Sequence, residues 1–87
     1  REMKLSAMPT EIDLRGMDAI EAICVLDRYL DEAMRANLTQ VRIIHGKGTG
    51  TLRAAVQQDL RKNKYIKSFR LGVYGEGEDG VTIAEFR

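Results

Sequence analysis

The run Ile43-Ile44-His45-Gly46-Lys47-Gly48-Thr49-Gly50 carries an apolar strand end into a glycine-punctuated loop holding one His and one Lys. These residue types suit a phosphate. Gly46, Gly48 and Gly50 allow positive φ and close backbone approach to a ligand, and the unpaired N–H groups opening the next helix form an anion site. Lys47 adds a cation, and His45 a group that titrates near neutrality. The run is not a nucleotide-binding P-loop, because G-x-x-x-x-G-K-[ST] requires Ser or Thr where Gly48 stands. Taken alone, it also fits a tight strand-to-helix turn with no ligand.

A second group lies about thirty residues upstream, in Ile12-Asp13-Leu14-Arg15-Gly16. Ile12 and Leu14 alternate with Asp13 and Arg15, as in a short strand over Glu11 to Arg15. Met17 to Asn37 reads as a helix: Ala19, Ile23, Leu26, Leu30 and Ala33 recur at steps of three and four, with Asp18 and Glu21 favouring its start. Val41 to Ile44 is the next strand. The glycine loop then opens a helix over about Gly50 to Lys62, with Leu52, Val56 and Leu60 inward. Ile66 to Val73 is a strand directing Phe69, Leu71 and Val73 to the core, Gly75 to Gly80 a flexible acidic loop, and Val81 to Phe86 the last strand. Two βα units in succession imply parallel strands, right-handed crossovers and both helices on one face, an α/β (α+β) two-layer sandwich of order β-α-β-α-β-β. Ligands gather at the carboxyl ends of such strands. There Asp13 and Arg15 would meet His45 and Lys47, a separation the crossover can close.

The net charge of +1 conceals an uneven distribution. Residues 1–40 carry five basic and eight acidic groups, 41–70 eight and one, and 71–87 one and four, giving −3, +7 and −3. A basic block beginning at the glycine loop suits a polyanion, and equally a solvated helix face. Five Tyr and Phe residues and no Trp argue against a reader of single strands built on aromatic platforms. The 87 residues allow one core, with residues 1–10 an N-terminal arm or linker and 11–87 the domain. The single cysteine, Cys24, excludes an internal disulfide and reads as a buried thiol in a cytoplasmic protein. No stretch approaches the roughly 20 apolar residues of a membrane span. A start at Arg1 suggests a piece of a larger protein.

Together, Ile12-Asp13-Leu14-Arg15-Gly16, Glu21-Ala22, Val41-Arg42-Ile43-Ile44, His45 to Gly50 with Leu52-Arg53, and Gly80-Val81-Thr82 resemble the Smr (small MutS-related) domain over about Glu11 to Phe86. The closest resemblance is to the version ending bacterial MutS paralogues of the second type. That resemblance implies a four-stranded mixed sheet of order 1-2-4-3 with the last strand antiparallel, nucleic-acid binding and endonuclease activity. It also implies an attached MutS-like ATPase acting against recombination or at stalled ribosomes, with ATP confined to that separate domain. Some members carry His where this chain has Arg15, and the family's usual leading Leu is Ile12.

The expected catalytic group is Asp13, Arg15, His45 and Lys47: Lys47 and Arg15 on the scissile phosphate, His45 and Asp13 for proton transfer or for orienting water. Expected nucleic-acid contacts are Arg42, Gly46, Gly48, Thr49, Gly50, Arg53 and Arg70. Each has a plainer reading. Asp13 can cap a loop, Arg15 can pair with Asp13, His45 can be a turn residue and Thr49 a helix cap, while Arg42, Arg53 and Arg70 can be ordinary surface. Glu76, Glu78 and Asp79 lack EF-hand spacing and read as a flexible loop rather than a cation site. No structural metal or cofactor is expected in the domain, apart from a weak Mg²⁺ contribution through Asp13. The partner is DNA or RNA, with the ribosome a further one and no membrane. A non-catalytic docking module and a protein-interaction domain are the competing readings.

Overall fold

A computed structural model describes residues 8–87, so most of the expected arm, residues 1–7, lies outside the described residues. The elements are β1 (Glu11–Asp13), α1 (Ala19–Arg35), β2 (Gln40–Ile44), α2 (Thr51–Lys62), β3 (Ile66–Leu71), a 3-10 turn (Glu78–Gly80) and β4 (Val81–Phe86). They form a four-stranded sheet of order β1-β2-β4-β3. β1 and β2 are parallel, and β4 runs antiparallel to both β2 and β3. Among the described residues, no helix is long and apolar enough to cross a membrane.

Local chemistry sets the helix limits. Asp18 caps α1 by accepting the Glu21 N–H at 2.8 Å. At its other end Asn37 adopts positive φ, and the Leu38 and Asn37 N–H groups reach the Ala33 and Met34 carbonyls at 3.1 and 3.0 Å, a Schellman closure. α1 buries Ala22, Leu26, Tyr29, Leu30 and Ala33, and α2 buries Val56 and Leu60. Cys24 falls two residues from both Ala22 and Leu26, on the far side of the helix, and is exposed rather than buried. The end of the arm is docked: the Tyr29 hydroxyl donates to the Pro9 carbonyl at 2.6 Å, and burial helps push that phenol up to about 12.

Strand pairing assigns the faces. Ile12, Ile43 and Thr82 share the helix-covered side with Val41 and Ala84, whereas Asp13, Ile44, Val81, Arg42 and Ile83 share the other. A bulge lets β3 keep both Ile66 and Phe69 inward: Ile66 pairs with Phe86 but Ser68 with Glu85, leaving Lys67 as the extra residue. The expectation that Leu71 and Val73 face the core fails. β3 is an edge strand whose pairing ends at Leu71, so these side chains are 37% and 57% exposed. On the face without helices, Val81 and Ile83 are nonetheless only 4% exposed. The 72–80 segment folds over them. Arg70 grips Glu76 through contacts of 2.8 and 3.2 Å, Arg42 donates to the Glu76 carbonyl at 3.3 Å, and Gly77 lies against Val81 where any Cβ would collide. The acidic loop is thus built on to the sheet rather than free.

One core-facing group is poorly accommodated. Asp59 on α2 has a buried Oδ2 with no hydrogen-bond partner, and burial together with the Asp27 carboxyl of α1 pushes it up to about 7, against a smaller opposing pull from Lys62. An acid raised in the folded state favours folding while protonated, so stability declines as pH rises from about 3.8 to about 7. Asp59→Asn should flatten this slope. Discounted for solvent screening, its gain at pH 8 is on the order of 1 kcal/mol, readable from thermal melts at several pH values.

Candidate anion-binding site at the glycine loop

The Gly80 carbonyl accepts both the His45 and Gly46 N–H groups, at 3.1 and 2.9 Å, and so fixes where the glycine loop leaves the sheet. Gly46 and Gly50 have φ of +83° and +89°, conformations that favour glycine. Of the two reasons for a glycine at Gly48, positive φ and close ligand approach, the first does not apply. Gly48 instead has open space around its missing Cβ, which leaves the loop's crest accessible to a ligand. Gly50 occupies the N-cap position of α2, and Thr49 just before it supplies a long cap: its hydroxyl accepts the Thr51 N–H at 3.4 Å and meets Thr51 Oγ1 at 2.9 Å.

Cations line this loop. The Arg15 stem lies against Gly46, where a Cβ would come within 3.3 Å of its Cγ, and the Arg53 guanidinium lies against Gly50 at 3.1 Å from the same construction. The Lys47 side chain is 62% exposed. Gly50 at the N-cap has no side chain to offer, α2 has no acidic residue in its first turn, and its first backbone bond runs from Ala54 N–H to the Gly50 carbonyl. The preceding N–H groups of that turn therefore lack intrahelical acceptors. Together with the helix dipole they face a cleft of about 360 Å³ lined by residues from Met17 to Ala19 and from His45 to Arg53. A second cleft, of about 470 Å³ on the sheet face without helices, shares Gly46 and Lys47 and adds Arg15 and Arg42.

Asp13 and Arg15 are brought together as the sequence suggested. Arg15 donates from Nε and Nη2 to the two Asp13 oxygens at 3.0 and 2.7 Å, and its backbone N–H adds 3.0 Å. These hydrogen bonds hold the Asp13 carboxyl down at about 2. So strongly ionised a group is a poor proton acceptor at neutral pH and serves better to aim the guanidinium. Both Asp13 oxygens are engaged by Arg15, and among the described residues no group of three or more His, Cys, Asp or Glu is disposed to hold an ion.

His45 does not join Asp13. The Asp13 partner across the sheet is Ile44, so the next residue, His45, turns to the opposite face. It is 4% exposed, with Nδ1 3.0 Å from the Gly46 carbonyl and Nε2 2.8 Å from Thr82 Oγ1. Both contacts fit a neutral ring that donates from Nδ1 and accepts at Nε2. Burial lowers its pKa despite the Gly46 hydrogen bond. His45, read from the sequence as a titratable group or as a turn residue, is a buried brace of the loop. Its partner Thr82, also approached by Gln57 Nε2 at 3.4 Å, was not assigned a role from sequence. The one polar residue in Val81-Thr82-Ile83-Ala84 was the available signal.

Arg42 and Arg70 are tied down as well, Arg42 to Glu11 at 2.7 Å and Arg70 to Glu76, so they stand as loop anchors before they stand as phosphate contacts. Lys47 is 3.4 Å from Glu78 and 3.7 Å from Asp79, and Arg53 is 3.9 Å from Asp79. Ion pairs this long and exposed contribute roughly 0–1 kcal/mol each.

The comparisons with known proteins agree with this architecture. The model of the Smr domain matches residues 12–87, and the chain belongs to the Smr domain family. It is 53% identical over 89 residues to an endonuclease MutS2 of Clostridium beijerinckii and 57% identical over 84 residues to one of Ruminiclostridium cellulolyticum, covering 100% and 97% of this chain. It spans only 11% of the length of each. The crystal structure of the Smr domain of Thermus thermophilus MutS2 superposes with a TM-score of 0.87 at 44% identity, covering 90% of this chain and 98% of that one. YdaL, a stand-alone small MutS-related protein of Escherichia coli, shares the fold with a TM-score of 0.86 at 20% identity, covering 90% of this chain and 64% of that one.

Stability should separate the structural members of the loop from the accessible one. Gly46→Ala should cost about 1–2 kcal/mol through its positive φ, and His45→Ala about 2–3 kcal/mol through two lost buried hydrogen bonds. Gly48→Ala should stay within about 0.5 kcal/mol of wild type. Chemical denaturation of the three variants reads this order directly, and equal losses would refute the division.

Proposed function

We propose that this chain is a nucleic-acid-binding Smr domain that cleaves phosphodiester bonds, working within a longer MutS2-like protein. The observation that carries the reading is the alignment of Arg15, Lys47 and Arg53 along the glycine loop, beside the first turn of α2. A phosphate over Gly48 would receive backbone N–H groups and Lys47, with Arg15 and Arg53 flanking it. The description of the MutS2 relatives as endonucleases supports the chemistry.

In this mechanism the main catalytic contribution is electrostatic. Arg15, aimed by Asp13, and Lys47 stabilise the charge that develops on the phosphate oxygens when a phosphodiester is attacked. His45 acts as a positioning residue that holds the loop's exit from β2, rather than as the acid or base. In the parent protein a MutS-like ATPase would supply ATP chemistry and select the nucleic acid, and a ribosome-associated role would enter through structured RNA.

Binding and single-turnover cleavage should be measured together, on supercoiled plasmid and on structured RNA, at several salt concentrations. Lys47→Ala and Arg53→Ala should each weaken binding several-fold regardless of sequence and lower the salt slope by about 1. Arg15→Ala should weaken binding and slow cleavage by about 10²-fold. Asp13→Asn should slow cleavage while leaving affinity within about twofold, because it misaims a cation without removing it. Binding without any cleavage that tracks Arg15 would leave a docking module in place of an enzyme.

A further inference from the structure

We infer that Glu78 and Asp79 are a tethered counter-anion over the glycine loop, a selectivity gate that incoming phosphates must displace; this rests on the phosphate-binding reading above. The acidic segment reaches the loop from the other side of the β2–β4 junction. Glu78 Oε1 and Asp79 Oδ1 approach Lys47 Nζ at 3.4 and 3.7 Å, and Asp79 Oδ2 approaches Arg53 Nη1 at 3.9 Å. Lys47 precedes Gly48 and Arg53 lies against Gly50, so the carboxylates offset two of the three cations along the loop where a phosphate would bind.

Three features set these pairs apart from chance surface contacts. The segment is locked in place, since Gly80 gives its carbonyl to His45 and Gly46 and lies so close that a Cβ there would come within 3.2 Å of Lys47 Cγ. Glu78 adopts φ of 52°, a left-handed conformation unfavourable for a non-glycine residue, and its carboxylate makes the shorter of the two approaches to Lys47. The neighbouring Glu76 is held separately by Arg70 and by the Val73 N–H at 2.9 Å, so the segment keeps its anchor when Glu78 and Asp79 let go.

A tethered carboxylate differs from a dissolved counterion. Binding a polyanion to free cations releases condensed ions, and that release drives affinity and its salt dependence. Carboxylates fixed to the same chain remain at high effective concentration after displacement, so they compete at every salt concentration. An isolated phosphate engages too few groups to displace both. A polynucleotide delivers successive phosphates that also meet Arg15 and the α2 amides, and it can displace them together. The gate therefore favours polynucleotides over small phosphates, and Glu78 and Asp79 are specificity residues that need not touch the reacting bond.

The test compares the wild-type chain with Glu78→Gln/Asp79→Asn and with an equal-charge control on α1, Asp31→Asn/Glu32→Gln. The probes are a fluorescein-labelled oligonucleotide, titrated across salt, and inorganic pyrophosphate. The gate variant should bind oligonucleotide about 5- to 10-fold tighter with a salt slope steeper by about 1–2, and should gain more for pyrophosphate than for oligonucleotide. The control should move either affinity by less than about twofold. Asp79→Asn alone should give part of the gain, a second route to the answer if the double substitution disturbs folding. Wild type that binds oligonucleotide while the gate variant matches the control overturns the counter-anion and leaves the nucleic-acid reading standing. If no protein binds oligonucleotide but the gate variant gains pyrophosphate, the counter-anion stands and the polynucleotide reading falls. Binding of neither probe by any variant overturns both.

Discussion

A single carbonyl holds the functional end of this domain together. Gly80 O accepts the His45 and Gly46 amides where β2 ends and β4 begins. Those two bonds fix the Ile44–Val81 end of the ladder, send the chain into positive φ at Gly46 and bring the 3-10 turn alongside Lys47. They also turn the His45 ring toward Thr82, in the same strand that Gly80 introduces. Without this joint, the glycine loop and the acidic loop would be independent surface excursions. With it, their charges share one site.

The sheet's two faces are covered by different means. α1 and α2 bury one side with apolar stripes, an arrangement that tolerates variation in detail as long as volume is kept. The other side is sealed over Val81 and Ile83 by a loop held through Arg42, Arg70 and Glu76, where packing depends on charge and backbone geometry. Basic residues expected to meet nucleic acid therefore divide into two kinds. Arg42 and Arg70 keep the loop on the sheet, while Arg15, Lys47 and Arg53 stand along the glycine loop within reach of a ligand.

This division changes what the family motifs mean physically. The Asp13-Leu14-Arg15 run contributes an aimed cation rather than a free carboxylate, because both Asp13 oxygens are committed to Arg15. In the proposed reading the His45-Gly46-Lys47-Gly48 run contributes shape and charge rather than a proton, because the imidazole is buried and satisfied. A site so composed suits recognition and stabilisation of a phosphate's charge. The chemistry proposed for it depends less on any one titrating group than on how closely the cations are held.

The sequence by itself determined the order of elements, the parallel βα units and the place of the glycine loop, because these follow from local periodicity, caps and turn residues within a few positions of one another. It also offered the Asp13–Arg15 pair as one reading, since two residues apart at a strand end are within side-chain reach, although Arg15 lies in the turn after β1. Only the tertiary structure decided what depends on distant partners. The bulge at Lys67 and the edge position of β3 left Leu71 and Val73 exposed, and the helical phase set by the whole buried stripe of α1 placed Cys24 outside. His45 was buried by a hydrogen bond to a residue 37 positions away. The acidic segment was set against Lys47 and Arg53 by the β2–β4 junction, so that charges separated along the chain became neighbours in space. No local pattern encodes such pairings, since they arise only when strand register brings separate segments into contact.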